Sequence, residues 1–156
     1  MLDVKFVKLS EDAIVPCYGR RGDAGLDLFT VEDIIIRANE TMVIPTNIAI
    51  QLPMGYEASV RPRSGISLNG VKGCTDCSTM KPCQPYLRVQ FGTVDSNYRG
   101  SIGIITYNQE NYDVLVPRGT KLAQLVVSPV ISVDLIEVES LDNTNRGNKG
   151  FGSSGI

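Results

Sequence analysis

The chain of 156 residues contains no histidine. That absence removes Ser-His-Asp and Cys-His catalysis and every zinc site that uses an imidazole, so any proton acceptor is expected to be a carboxylate. Long apolar runs are missing too, and nothing approaches the roughly 20 residues that a membrane-spanning helix needs. No membrane partner is therefore expected. The opening MLDVKFVKLSEDA intermixes charged and apolar residues, unlike a secretory signal, so an intracellular protein (cytoplasmic or nuclear) is expected. Nor is there an excess of positive charge: a formal net charge of −2 argues against broad binding to nucleic acid. An anionic ligand would have to meet positive charge concentrated locally, at Arg20-Arg21, at Arg61 and Arg63, or at Arg146 with Lys149.

What is present reads as β structure. MVIPTNIAIQL, YEASVRP, SIGIITYN, YDVLVP, KLAQLVVSPV and ISVDLIEVE are short runs rich in Val, Ile, Thr and Tyr, punctuated by Gly, Pro or Asn. Within the last of them DLIEVE alternates, the mark of a strand with one wet face. No long helical stripe occurs, and one short helix fits at most, around Ser64 to Asn69. The expected fold is all-β, a jelly-roll-like barrel over residues 1–140, followed by a mobile glycine-rich arm over 141–156. One segment breaks the rhythm. NGVKGCTDCSTMKPCQPY, residues 69–86, is polar, turn-rich and holds three of the four cysteines, as an insertion would.

Four further stretches are unlike ordinary strand filler. In GDAGLDLFT, Asp27 sits inside an apolar run, where a carboxylate needs either a cationic neighbour or a ligand. RPRSGIS sets Arg63, Ser64 and Gly65 side by side: a guanidinium forks onto two phosphate oxygens, a hydroxyl donates once, and glycine lets the backbone N–H approach. In GTVDSNYRG, Asp95 follows a strand-like Gly-Thr-Val and precedes a turn, where an Asp is often only a turn former. In RGTKLAQLVV, Gln124 interrupts an apolar strand, and a buried amide needs partners in the protein or on a ligand. The end, RGNKGFGSSGI, lacks the P-loop order, yet consecutive Gly and Ser N–H groups can form an anion-binding nest that Arg146, Ser153 and Ser154 would supplement.

Taken singly these stretches say little; taken in order they say more. AGLDL, RSGIS, GTVDSNYRG, the G-x-K-L-A-Q-L run and the RG-x-x-GFGS-S-G tail resemble the five ordered motifs of the trimeric deoxyuridine triphosphatases, from about residue 20 to the C-terminus. The resemblance implies a homotrimer of barrel protomers with shared active sites. It also implies hydrolysis of dUTP to dUMP and pyrophosphate with Mg²⁺, which limits uracil in DNA and supplies dUMP for thymidylate synthesis. By matching position, Asp95 would orient and deprotonate the water that attacks the α-phosphorus. Tyr98 would lie against the deoxyribose, and the backbone from Gly92 to Val94 would read the uracil edge. Arg63, Ser64, Gly65 and Gln124 would bind the triphosphate, and Asp27 would hold a water of the Mg²⁺ shell. From another subunit's tail, Phe151 would stack on uracil while Arg146, Gly152, Ser153 and Ser154 close over the phosphates.

The chain also departs from the family pattern. Lys121 and Ser154 stand where Arg and Thr are common, and an Asn that can contact uracil has no clear counterpart. The interval from Ser64 to Asp95 is about twice the usual one, and the excess carries Cys74, Cys77 and Cys83. A zinc site, a disulfide and an unstructured or simply packed surface loop are all open readings for it. Rival functions are a fold relative without catalysis, a deoxycytidine nucleotide deaminase, and a jelly-roll capsid or lectin domain.

Overall fold

The computed structural model describes residues 2–150. Its strands in chain order are β1 (Lys5–Lys8), β2 (Cys17–Tyr18), β3 (Leu26–Phe29), β4 (Ile34–Ile36), β5 (Thr41–Pro45), β6 (Ile48–Gln51) and β7 (Tyr56–Pro62). After the one helix, α1 (Ser64–Asn69), come β8 (Cys74–Asp76), β9 (Lys81–Cys83), β10 (Leu87–Val89), β11 (Gly92–Val94), β12 (Gly103–Asn108), β13 (Val114–Val116) and β14 (Lys121–Pro129). The all-β expectation holds, and the helix falls where the sequence placed it. It starts directly after Arg63, whose backbone is still extended, and stops at Gly70, whose φ of +76° reverses the chain at little steric cost.

All the strand pairings are antiparallel, in four sheets ordered β11-β7-β14-β3-β2, β4-β13-β8-β9, β10-β12-β5 and β1-β6. They close around one core. Alternation along β12 sends Ile104 and Thr106 inward, and the paired β7 and β14 bury Ala58, Val60, Leu122, Ala123 and Leu125. Ile36, Ile44, Ile48, Val114 and Val116 reach the same cluster from the other sheets. Branched side chains at every second position suit these half-buried surfaces. This enclosure fits a jelly-roll-like barrel.

The inserted segment is not irregular throughout. β8 and β9 form a hairpin that extends the sheet beyond β13, with Cys74 opposite Cys83 and Val114 opposite Asp76. Its turn is held by the Asp76 carboxylate, which accepts from Ser78 N (2.8 Å), Ser78 Oγ (2.7 Å) and Thr79 Oγ1 (2.9 Å). All four cysteines are free, so no disulfide forms, and the surface loop expected as the third reading is in large part an ordered hairpin. Cys74 is buried, and loss of water pushes its thiol up to about 12. Because the thiolate is the nucleophile, Cys74 is expected to be the last of the four thiols alkylated at pH 8 in native protein. Peptide mass spectrometry after timed labelling reads this directly; early loss of free Cys74 would contradict the packing.

One expectation fails. ISVDLIEVE forms no strand, and Ile131, Val133, Leu135 and Ile136 are largely exposed. Strand patterning needs a neighbouring edge to pair with, and beyond Val130, whose N–H donates to the Gly55 carbonyl at 2.8 Å, this run pairs with no strand among the described residues.

Candidate functional site

Register across the five-stranded sheet puts three of the singled-out polar positions in one row. Gln124 of β14 lies opposite Asp27 of β3 on one side and opposite Arg61 of β7 on the other. Arg63, one residue past β7, reaches back across β14. Its Nη1 donates to the Lys121 carbonyl at 3.0 Å, and its Nε lies 3.1 Å from Asp27 Oδ1. Lys121 Nζ takes the other carboxylate oxygen at 2.9 Å. Asp27 is 7% exposed, so a charged carboxylate there depends on those two cations. Of the two readings for Asp27, a cationic neighbour or a ligand, the cationic neighbour is present twice over, and Lys121, in the usual arginine's place, is one of the two.

Asp27, Arg63 and Gln124 border a polar cleft of about 500 Å³, together with Ser64 and Gly65 at the start of α1. Gln124 forms part of its wall. Its Nε2 donates to the Pro62 carbonyl at 3.0 Å, and its amide oxygen takes the space that a side chain at residue 25 would fill. A Cβ there would come within 2.6 Å of Gln124 Oε1 and 3.1 Å of Val126 Cγ2. The AGLDL motif thus supplies both a carboxylate and the space beside it. Asp23 and Lys72 border the same cleft, and the motif reading missed both. Asp23 lies in a turn, its Oδ2 accepting from Arg20 N at 2.8 Å, and Lys72 lies in the inserted segment, where neither periodicity nor motif order marks it. Arg61 borders no part of it and instead leans over the Phe91 ring, 5.9 Å from the centroid.

The third motif makes a separate, smaller concavity of about 220 Å³, bordered by Gly92, Thr93, Val94 and Tyr98 with Val43 and Val60. Tyr98 is fixed there: its N–H donates to the Asp95 carbonyl at 3.1 Å, and its hydroxyl donates to the Ser101 carbonyl at 3.1 Å. Gly100 leaves room for that ring, since a Cβ would strike the hydroxyl. Asp95 itself is exposed, and its carboxylate makes no hydrogen bond or ion pair among the described residues.

Strand register sets these two hollows apart. Val94, next to Asp95, faces Ala58 of β7, whereas Arg63 lies five residues further along in the other direction. At ~3.3 Å per residue that is roughly 16 Å, with Asp95 one step beyond it. Arg63, Ser64, Gly65, Gln124 and Asp27 are brought together; Gly92, Val94, Asp95 and Tyr98 are brought together; the two groups are not joined on one chain. Arg146 joins neither, its Nε donating to the Lys149 carbonyl at 3.0 Å. Phe151, Gly152, Ser153 and Ser154 lie outside the described residues.

The dUTPase family model matches residues 11–155. The chain belongs to the dUTPase family. It is 43% identical over 150 residues to the deoxyuridine 5'-triphosphate nucleotidohydrolase of Hydrogenobaculum sp. (strain Y04AAS1), covering 96% of this chain and 95% of that relative. With the enzyme of the same name from Clostridioides difficile it shares 39% over 156 residues, the whole of both chains. Among solved structures, the Staphylococcus bacteriophage 80alpha dUTPase with dUPNHPP superposes with a TM-score of 0.84, at 27% identity over 99% of each chain. A dUTPase mutant from phage phi11 of S. aureus, described for its coordination of a structural Mg(II) ion, gives a TM-score of 0.75 at 26% identity, covering 88% of this chain and 97% of that one.

Membership accounts for the order of the motifs. Among the described residues no group of three or more His, Cys, Asp or Glu side chains is placed to hold a metal. Two carboxylates, Asp23 and Asp27, nonetheless face the cleft. That donor set fits a cation such as Mg²⁺ that keeps most of its waters and arrives on a triphosphate.

Proposed function

We propose that the chain hydrolyses dUTP to dUMP and pyrophosphate at sites shared between the subunits of a homotrimer. One observation carries the shared-site part: Asp95 and Arg63, which must act on the same triphosphate, are separated by roughly 20 Å of β7's register, more than a triphosphate chain spans, and the two hollows share no bordering residue. A site complete in every motif therefore combines the cleft of one copy with the hollow of its neighbour. The dUPNHPP complex of the phage 80alpha relative supports the nucleotide as ligand.

In that combined site the backbone of Gly92 to Val94 reads the uracil edge, and Tyr98 packs against the deoxyribose so that a 2′-hydroxyl has no room. Arg63, Ser64, Gly65 and Gln124 bind the triphosphate. Asp95 holds a water in line with the α-phosphorus and accepts its proton as the oxygen attacks; the bond to the bridging oxygen breaks and pyrophosphate leaves. Asp27 would hold a water of a triphosphate-bound Mg²⁺, whose charge would help neutralise the phosphates. Release of Asp27's cations toward the phosphates accompanies binding, since Arg63 serves both. Arg146, Phe151, Gly152, Ser153 and Ser154 of a third copy cover the nucleotide. The reaction keeps uracil out of DNA and supplies dUMP, which goes with an intracellular place of action.

Incubation with Mg²⁺ and, separately, dUTP, dTTP, dCTP and UTP, with chromatographic resolution of products, tests the reading. Conversion of dUTP alone to dUMP and pyrophosphate is expected. Deamination of dCTP, or no turnover by folded oligomer, would overturn it.

A further inference from the structure

We propose that Lys72, carried by the inserted segment, is a further triphosphate-binding residue of this active site. The inference rests on the dUTP reading above and adds to it a residue outside the five motifs.

The first argument is charge. The side chains bordering the cleft include two cations, Arg63 and Lys72, and two carboxylates, Asp23 and Asp27. Arg63 is engaged by Asp27, and so is Lys121 from just beyond the border. Lys72 makes no ion pair or hydrogen bond among the described residues. The cleft therefore presents close to no net charge to a ligand with several negative charges, and Lys72 is the cation on its border with no internal anion to leave. An ammonium already facing the ligand's path strengthens the contact without first breaking a protein ion pair.

The second argument is placement. Lys72 is exposed, yet the backbone that carries it is pinned on several sides. Gly70 N–H donates to the Ile66 carbonyl at 2.9 Å, and Val71 N–H donates to the Pro85 carbonyl at 2.8 Å. Gln84 Nε2 donates to the Asn69 carbonyl. Gly70 passes so close to the next segment that a Cβ would sit 2.7 Å from the Gln84 carbonyl oxygen. Val71 is buried at 2% exposure, and two residues after Lys72 the chain enters β8 with Cys74 in the core. Lys72 thus projects from a fixed strut. Arg63, Ser64 and Gly65 stand at the start of α1 and Lys72 just beyond its end, so a six-residue helix, about 9 Å long at 1.5 Å per residue, spaces the two groups along the cleft. An extended phosphate chain can bridge such a span where a single phosphate cannot.

The expected effect is on ground-state and transition-state binding alike, so KM rises and kcat stays. Three proteins (wild type, Lys72→Met and Lys72→Arg) would be compared in dUTP kinetics and in equilibrium binding of α,β-imido-dUTP, dUMP and inorganic tripolyphosphate. The Met variant is expected to raise KM, and the dissociation constants of imido-dUTP and tripolyphosphate, by about ten-fold, the scale of one hydrogen bond to a charged group. Its kcat and dUMP affinity should stay within about two-fold of wild type, and Lys72→Arg should recover most of the loss. Unchanged imido-dUTP and tripolyphosphate binding by Lys72→Met, or equal weakening of dUMP, would overturn the proposal. A wild type that turns over no dUTP would instead sink the reading it rests on; tripolyphosphate binding would still decide Lys72 by itself.

Discussion

Asp95→Asn is expected to lower kcat for dUTP by about a thousand-fold, within the usual range for removing a general base. The substitution is nearly isosteric and keeps a side chain able to hydrogen-bond water, so what it removes is the capacity to accept a proton. Nothing in the fold depends on the carboxylate. It is exposed and makes no hydrogen bond or ion pair among the described residues, while the turn after it is closed by main chain, from Tyr98 N–H to the Asp95 carbonyl. Thermal unfolding should therefore be unchanged, and affinity for α,β-imido-dUTP should stay within a few-fold of wild type. Pyrophosphate release under saturating dUTP and Mg²⁺ is the measurement. A kcat within ten-fold of wild type would remove Asp95 from the role of base, and with no histidine in the chain the next carboxylates to try would be Asp23 and Asp27, which border the cleft.

The contrast between Asp27 and Asp95 shows how far the sequence could be read. Both are aspartates beside strand-like runs, and residue type alone does not separate them. Burial does: Asp27 is enclosed and held by Arg63 and Lys121, while Asp95 stands in the open after β11. Strand patterning made the all-β class, the short helix after Arg63 and most of the core legible, because side-chain alternation is a local property. ISVDLIEVE carried the same pattern and formed no strand, because pairing is not local and no strand edge among the described residues takes it up. The insert was legible as an insert but not as a hairpin. Its pairing with β13 depends on long-range register, which polar, turn-rich residues do not announce. Lys72 stayed hidden for the same reason: its relevance comes from the Gly70–Val71 strut, and no spacing rule encodes that.

Mixing two inactive proteins is expected to restore activity. Arg63→Ala should lower kcat/KM by at least about a hundred-fold, since it removes a charge-assisted fork from the phosphates. On its own it resembles Asp95→Asn in outcome, but the two lesions fall on opposite ends of β7's register and hence, in a shared site, on different subunits. In the proposed three-fold ring each site would take its cleft from one chain and its Asp95 hollow from the next. Co-expressed at equal levels, random assortment makes about three quarters of the trimers mixed, each with one intact site in three, for about a quarter of wild-type activity. Ser64→Ala, which leaves the Asp27 ion pairs untouched, serves as a second partner should Arg63→Ala unsettle the fold. Recovery near that level in trimers of verified mixed composition is expected. No recovery would mean that Arg63 and Asp95 act from the same chain, which the sheet register permits only if one segment moves by well over a strand spacing. A light-scattering mass other than three protomers would sink the trimer itself. The test is sharp because a folding defect in either parent lowers the mixed activity and cannot create it.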